Sequence, residues 1–187
     1  MFPWNAAAKP GEPFSAQHLR AGQTSGRFDL NDRPPVHYLA ESPVHAVAEK
    51  LQRYRGRTIG AAHLEEWGHP LALVPVTVPD DVRAAVADLT DPATLVRLGI
   101  GPDRIASGSR SVTQAIARQV HGAGYAGLRW WSALDGDWHA VVLFGDAVPE
   151  GKLEYGAPER LSVEHLTVRE AAVRLGVTLG RRGRRPS

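Results

Sequence analysis

Two strand-like runs, YAGLRWWS (125–132) and WHAVVLF (138–144), are separated only by the turn-forming ALDGD, and no other stretch constrains the fold as much. Aromatic and β-branched runs that meet across an Asp–Gly turn predict a hairpin. The elements around it then read as further strands and helices on a shared sheet.

Upstream, the strand and helix signals alternate. VHYLA (Val36 to Ala40) reads as a short strand, and Ser42 as N-cap with Pro43 as first residue opens a helix that runs to about Arg53. LALVPVTV (Leu71 to Val78) predicts an apolar strand whose proline favours a sheet edge or a bulge. DPATLVRLG (Asp91 to Gly99) predicts a short helix opened by Asp and Pro and closed by Gly. In SVTQAIARQVHGAG, Ser111 and Gln114 have capping-box spacing, and Ile116 and Val120 supply an apolar face. A last strand-and-helix pair lies near LSVEHLTVREAAVRLG. The reading is α+β: a central mixed or antiparallel sheet with peripheral helices, lacking the regular βαβ units of a doubly wound fold.

Composition narrows the chemistry. With 187 residues and 43% hydrophobic content, the chain suits one domain over 1–180 with an irregular opening at 1–24 and a basic tail at 181–187. The absence of cysteine excludes disulfides, thiolate metal sites and cysteine nucleophiles, and fits a reducing cytoplasm. No run approaches the ~20 apolar residues of a membrane span. The formal charge is only +2, and Arg181, Arg182, Arg184 and Arg185 in the tail account for more than that excess. The tail alone is a weak basis for nucleic-acid binding.

The standard catalytic templates are missing: no GxGxxG after a strand, no GxxxxGK[ST], no HExxH and no GxSxG. The eight histidines are scattered, which predicts no metal site. One carboxylate stands out. In the helix opened by Ser42, the apolar stripe is Val44, Val47, Ala48 and Leu51, and Glu49 lies roughly 150° from its centre. Folding alone leaves two readings for Glu49, a solvated surface acid or a group facing a cleft shared with Arg27 and Tyr38.

Taken in order, Gly26-Arg27-Phe28, VHYLAESPVHAVAE, ADLTDPATLVRLG, TQAIARQVHGAGYAGLRWWSA and AVVLF resemble the RES-domain family, the toxins of RES–Xre toxin–antitoxin pairs. The resemblance spans roughly Ser25 to Phe144. It puts the family's Arg on Arg27, its strand Tyr on Tyr38, its helix Glu on Glu49, and its Ser on Ser132, with Ser111 beside Gln114 as the other claimant. The sequence departs from the family pattern twice. Ser25 and Phe28 stand where a Gly and a Trp are common, and the opening offers Trp4 and Lys9 but no early Arg beside an aromatic.

The resemblance implies a fold like that of ADP-ribosyltransferase toxins and a cytoplasmic enzyme that degrades NAD by hydrolysis or phosphorolysis. It implies no resident cofactor, an Xre-type antitoxin that covers the active site, and contact with nucleic acid only through that antitoxin; separately, the aromatic cluster Trp130, Trp131 and Trp138 reads as core or as a homo-oligomer contact. In that reading Glu49 steadies positive charge developing on the ribose, and Arg27, flanked by Phe28, holds the pyrophosphate. Tyr38 meets nicotinamide and ribose, Ser132 bonds the nicotinamide amide or the ribose, and Ser111 and Gln114 are further NAD contacts. Two other functions are compatible with the sequence: transfer of ADP-ribose to a macromolecule, and a non-catalytic binding module acting through the basic tail.

Overall fold

The computed structural model describes residues 1–20, 22–30, 35–149 and 151–180, so the arginine tail lies outside the described residues. In chain order the elements are β1 (Phe2–Pro3), β2 (Val36–Ala40), α1 (Pro43–Leu51), β3 (Thr58–Ile59), β4 (Glu65–Glu66), β5 (His69–Leu73), β6 (Val76–Thr77), α2 (Asp80–Ala84) and β7 (Val86–Asp88). There follow α3 (Pro92–Leu98), α4 (Pro102–Ile105), α5 (Arg110–Gly122), β8 (Gly127–Trp131), β9 (His139–Phe144), β10 (Glu154–Tyr155), β11 (Glu159–Arg160), α6 (Leu166–Leu175) and β12 (Thr178–Leu179). The α+β reading holds. Among the described residues no helix is long and apolar enough to cross a membrane.

The chain resolves into two compact units that are interleaved in sequence. The first takes residues 1–18, 42–75 and 155 onward, and the second takes 19–41 and 76–154. In the second unit β8 and β9 form the expected antiparallel hairpin, extended by β2 antiparallel to β9 and by β7 parallel to β8, giving the order β2-β9-β8-β7. Because side chains alternate along a strand, register assigns every residue a face. Val36, Val142, Phe144, Leu128, Trp130 and Ala87 point to one face and pack with Ile116, Ala117 and Val120 of α5 and with Phe28 and Leu30. Tyr38, opposite Val142, shares that face; Leu39, Val141, Arg129 and Asp88 form one row across the other.

In the first unit β5 lies between β1 and β11, antiparallel to both, and β12 runs parallel to β3. Helix α1 starts as its sequence predicts, with Ser42 Oγ accepting the His45 N–H and Pro43 in the first turn. It packs on α6 and buries His45, Val47, Ala48 and Leu51, while α6 buries Val168, Ala171, Ala172 and Leu175. Full burial of an aliphatic side chain stabilises by about 1.5–3 kcal/mol, so these few residues hold the helix. The buried stripe is turned from expectation at one place, where His45 and not Val44 occupies the core.

Three local expectations need correction. LALVPVTV is not one strand: β5 ends at Leu73, Pro75 breaks the pairing because it has no N–H to donate, and β6 restarts at Val76. Helix α5 begins at Arg110 with Ser109 as its N-cap, so Ser111 and Gln114 do not form a capping box. The strand part of the last pair is β11, ahead of the quoted stretch, and His165 caps α6 by accepting the Thr167 N–H.

Candidate active site

The segment carrying Arg27 is held in the second unit by the first turns of α5. Gln114 Nε2 donates to the carbonyl oxygens of Thr24 (3.1 Å) and Gly26 (3.0 Å), and Arg110 Nε donates to that of Ser25. A buried side-chain amide serving two loop carbonyls fixes the loop's path better than a helix cap would, which accounts for the lost capping box. Gln114 therefore contacts the site's backbone. Ser111 sits beside it on the exposed first turn, its Oγ 2.8 Å from Ser109 Oγ.

Asp29 organises the loop. Its buried carboxylate accepts the Gly26 N–H at 2.6 Å and the Tyr38 hydroxyl at 2.8 Å, while the Tyr38 oxygen accepts the Phe28 N–H at 2.9 Å. Gly26 is required by close approach: a Cβ there would stand 2.3 Å from Asp29 Oδ1 and 2.4 Å from Tyr38 Oη. Burial of the hydroxyl, with the Asp29 carboxylate beside it and against the opposing pull of the Phe28 N–H, raises the Tyr38 pKa well beyond the usual phenol value. Tyr38 is thus a fixed, neutral phenol. Its hydroxyl is tied down while the residue stays 43% exposed, with its ring edge-on to Trp130.

Arg27 lies over the Phe28 ring, 5.6 Å from its centroid, and its Nη2 donates to the carbonyl oxygens of Ile105 and, at 3.4 Å, Ser107. Phe28 is fully buried and packs against Trp130 at 4.6 Å, so it supports the arginine from below and offers no open surface of its own. Ser132 is buried just past β8. Its Oγ accepts the Leu134 N–H and its own N–H donates to the Trp138 carbonyl, which closes the hairpin turn. Of the residues picked from sequence, the second unit brings Arg27, Phe28, Tyr38 and Gln114 into one bonded group and puts Ser111 and Ser132 at a helix start and a turn.

Glu49 belongs to the first unit and points away from the α1–α6 core, its side chain 46% exposed. Its carboxylate does not hang loose. His45 Nε2 lies 3.0 Å from Oε1, and Gln52 Nε2 donates to Oε2 at 2.9 Å. Asp29, His45 and Gln52 were missed in the sequence. Asp29 carried a signal, since an Asp side chain can bond the backbone three residues before it, here the Gly26 N–H.

The other face of the sheet carries an ionic cluster beside a cavity of about 540 Å³ lined by Leu39, Val76, Val86, Val141 and Leu143. Arg129 forks onto Glu41 (2.6 and 3.1 Å) and also reaches Asp88 at 3.1 Å and Thr90 at 3.0 Å. The Arg129 bonds hold the Glu41 carboxyl below its ordinary range, and those of Thr90 and Arg129 hold Asp88 down against the effect of burial. The cavity is of ligand size, but its two acids, Glu41 and Asp88, are already engaged by Arg129, and with Arg83 the lining carries as many basic as acidic groups.

The RES domain family matches residues 2–164 of this chain. Comparison with curated proteins gives no match. Among solved structures, a chain of the M. tuberculosis MbcT-MbcA toxin-antitoxin complex superposes with a TM-score of 0.56 at 21% identity, over 83% of this chain and 79% of that one. The likeness agrees with the α+β fold expected here.

Proposed function

From its membership of the RES-domain family, we propose that this chain degrades NAD by breaking the bond between nicotinamide and ribose. In that reaction the electron pair of the C–N bond goes to the pyridinium nitrogen and neutralises it. Positive charge builds on the ribosyl carbon, and water or phosphate supplies the oxygen that bonds to it, with a water proton passing to solvent. The leaving group needs no acid, so one carboxylate suffices where ordinary glycosidases use two.

Glu49 is the group assigned to the ribose hydroxyls and the growing charge. Tyr38 supports the reading most directly, because a phenol with its hydroxyl tied and its ring half open is an aromatic platform for a flat nicotinamide. Its oxygen keeps acceptor capacity for a ribose hydroxyl. Arg27 is assigned to the pyrophosphate, where it would exchange the Ile105 and Ser107 carbonyls for charged oxygens; charge-assisted bonds are about twice as strong as neutral ones. Ser132 is assigned to the amide end, with Phe28, Ser111 and Gln114 as supports of the same surface. The reading includes a toxin role in the cytoplasm and a helix-turn-helix antitoxin that covers the site and makes any contact with nucleic acid.

The test is nicotinamide release from NAD by the purified protein, with and without phosphate. Glu49→Ala should lower turnover by about 10²–10³-fold with an unchanged circular dichroism spectrum; equal turnover by the mutant would overturn the assignment. Label from NAD found on a macromolecule instead of in free ADP-ribose would move the reading to ADP-ribosyl transfer.

A further inference from the structure

We infer that His45 and Gln52 are positioning residues that hold the two oxygens of Glu49 from opposite sides along α1, an inference that rests on the catalytic reading of Glu49. His45 is the odd residue of the helix. It is fully buried on the face where Val47, Ala48 and Leu51 pack, at a place that stability alone fills with an aliphatic side chain. A buried imidazole must have its polar atoms bonded, and its Nε2 is 3.0 Å from Glu49 Oε1, one turn along the helix. Gln52, on the other side in sequence, donates to Oε2 at 2.9 Å and to the Glu49 carbonyl at 3.0 Å.

The two contacts differ in what they can do. His45 is anchored by packing, so its bond fixes where the carboxylate stands. Gln52 is exposed and closes a local bracket, so its bond fixes the rotation of the carboxylate plane. Since Nε2 faces a carboxylate oxygen, it is the nitrogen that carries the hydrogen of this bond. The carboxylate is thereby oriented before substrate arrives and remains half exposed to meet it. A glutamate free to change rotamer would lose part of its effect at the transition state, because misplacement by about 1 Å can cost roughly 10²-fold in rate.

The experiment compares His45→Leu, His45→Gln and Gln52→Ala in the full chain. His45→Leu fills the core without a donor, and His45→Gln puts an amide N–H close to where Nε2 was. We expect kcat for nicotinamide release to fall about 10–100-fold in His45→Leu with KM nearly unchanged, and to recover most of the loss in His45→Gln. Gln52→Ala should cost less than His45→Leu and leave folding intact, since the residue is exposed. The carboxyl-carbon NMR signal of Glu49 should move in His45→Leu and return in His45→Gln. A folded His45→Leu with unchanged kcat, or a Gln variant no better than Leu in both kcat and the NMR signal, would overturn the inference. Should His45→Leu not fold, unchanged kcat in Gln52→Ala together with an unmoved Glu49 signal would do the same. Absence of NAD turnover in the wild-type protein defeats the functional reading instead, and the NMR comparison then still decides whether His45 holds Glu49.

Discussion

The two faces of the β2-β9-β8-β7 sheet use similar polar groups for opposite ends. On one, Tyr38, Asp29 and the Gly26 and Phe28 amides form a chain of short bonds that fixes a loop and leaves an aromatic ring half open. On the other, Arg129 of β8 is clasped by Asp88 of β7 and by Glu41 just past β2, each charge answered by a neighbour. Neighbouring residues of a single strand, Tyr38 and Leu39, face the two environments. The lesson is that a cavity whose charged walls already satisfy each other offers a ligand no open charge, whereas a tied hydroxyl beside a half-open ring leaves a fixed surface exposed.

The contrast can be broken by exchanging effects between the faces. Tyr38→Ala should lower nicotinamide release by about 10²-fold, whereas Arg129→Ala should leave it within about twofold. Turnover lost equally in both would erase the distinction. Stability should respond the other way in part: removing Arg129 leaves two carboxylates facing each other, costing about 2 kcal/mol, or about 4–8 °C in Tm for a chain of this size. A melting curve that does not move would mean the cluster is ornamental. The smallest effect is in acid. Glu41 and Asp88 titrate below their ordinary 4.5 and 3.8 in the folded protein, so their contribution is present above those values and fades as pH falls through the depressed ones. Wild type should therefore lose stability in that window more steeply than Arg129→Ala, and parallel acid curves would contradict the pairing.

What could be read in the sequence was what local chemistry decides. Ser42–Pro43 starts α1, Asp91 caps α3 through the Ala93 and Thr94 amides, Gly99 ends it in the left-handed conformation, and an Asp–Gly turn joins β8 to β9. What escaped was decided at a distance. β7 is three residues long and exists because β8 pairs with it in parallel, and Gln114 leaves its cap to serve carbonyls 88 and 90 residues earlier. For the candidate site, Glu49's turn away from the core was legible from periodicity, but its bracket was not. A histidine on an apolar stripe looks the same in sequence whether it fills space or holds a carboxylate.

The packing of α1 on α6 also bears on when Glu49 is first held in place. A nine-residue helix is marginal in water by itself, and its partner α6 is synthesised only after all residues of the second unit. A growing or prematurely terminated chain would carry the glutamate without the support that keeps its helix formed. For a protein proposed to consume the cell's NAD, this arrangement is a built-in delay, in which harm must wait until α6 has been made and has docked on α1.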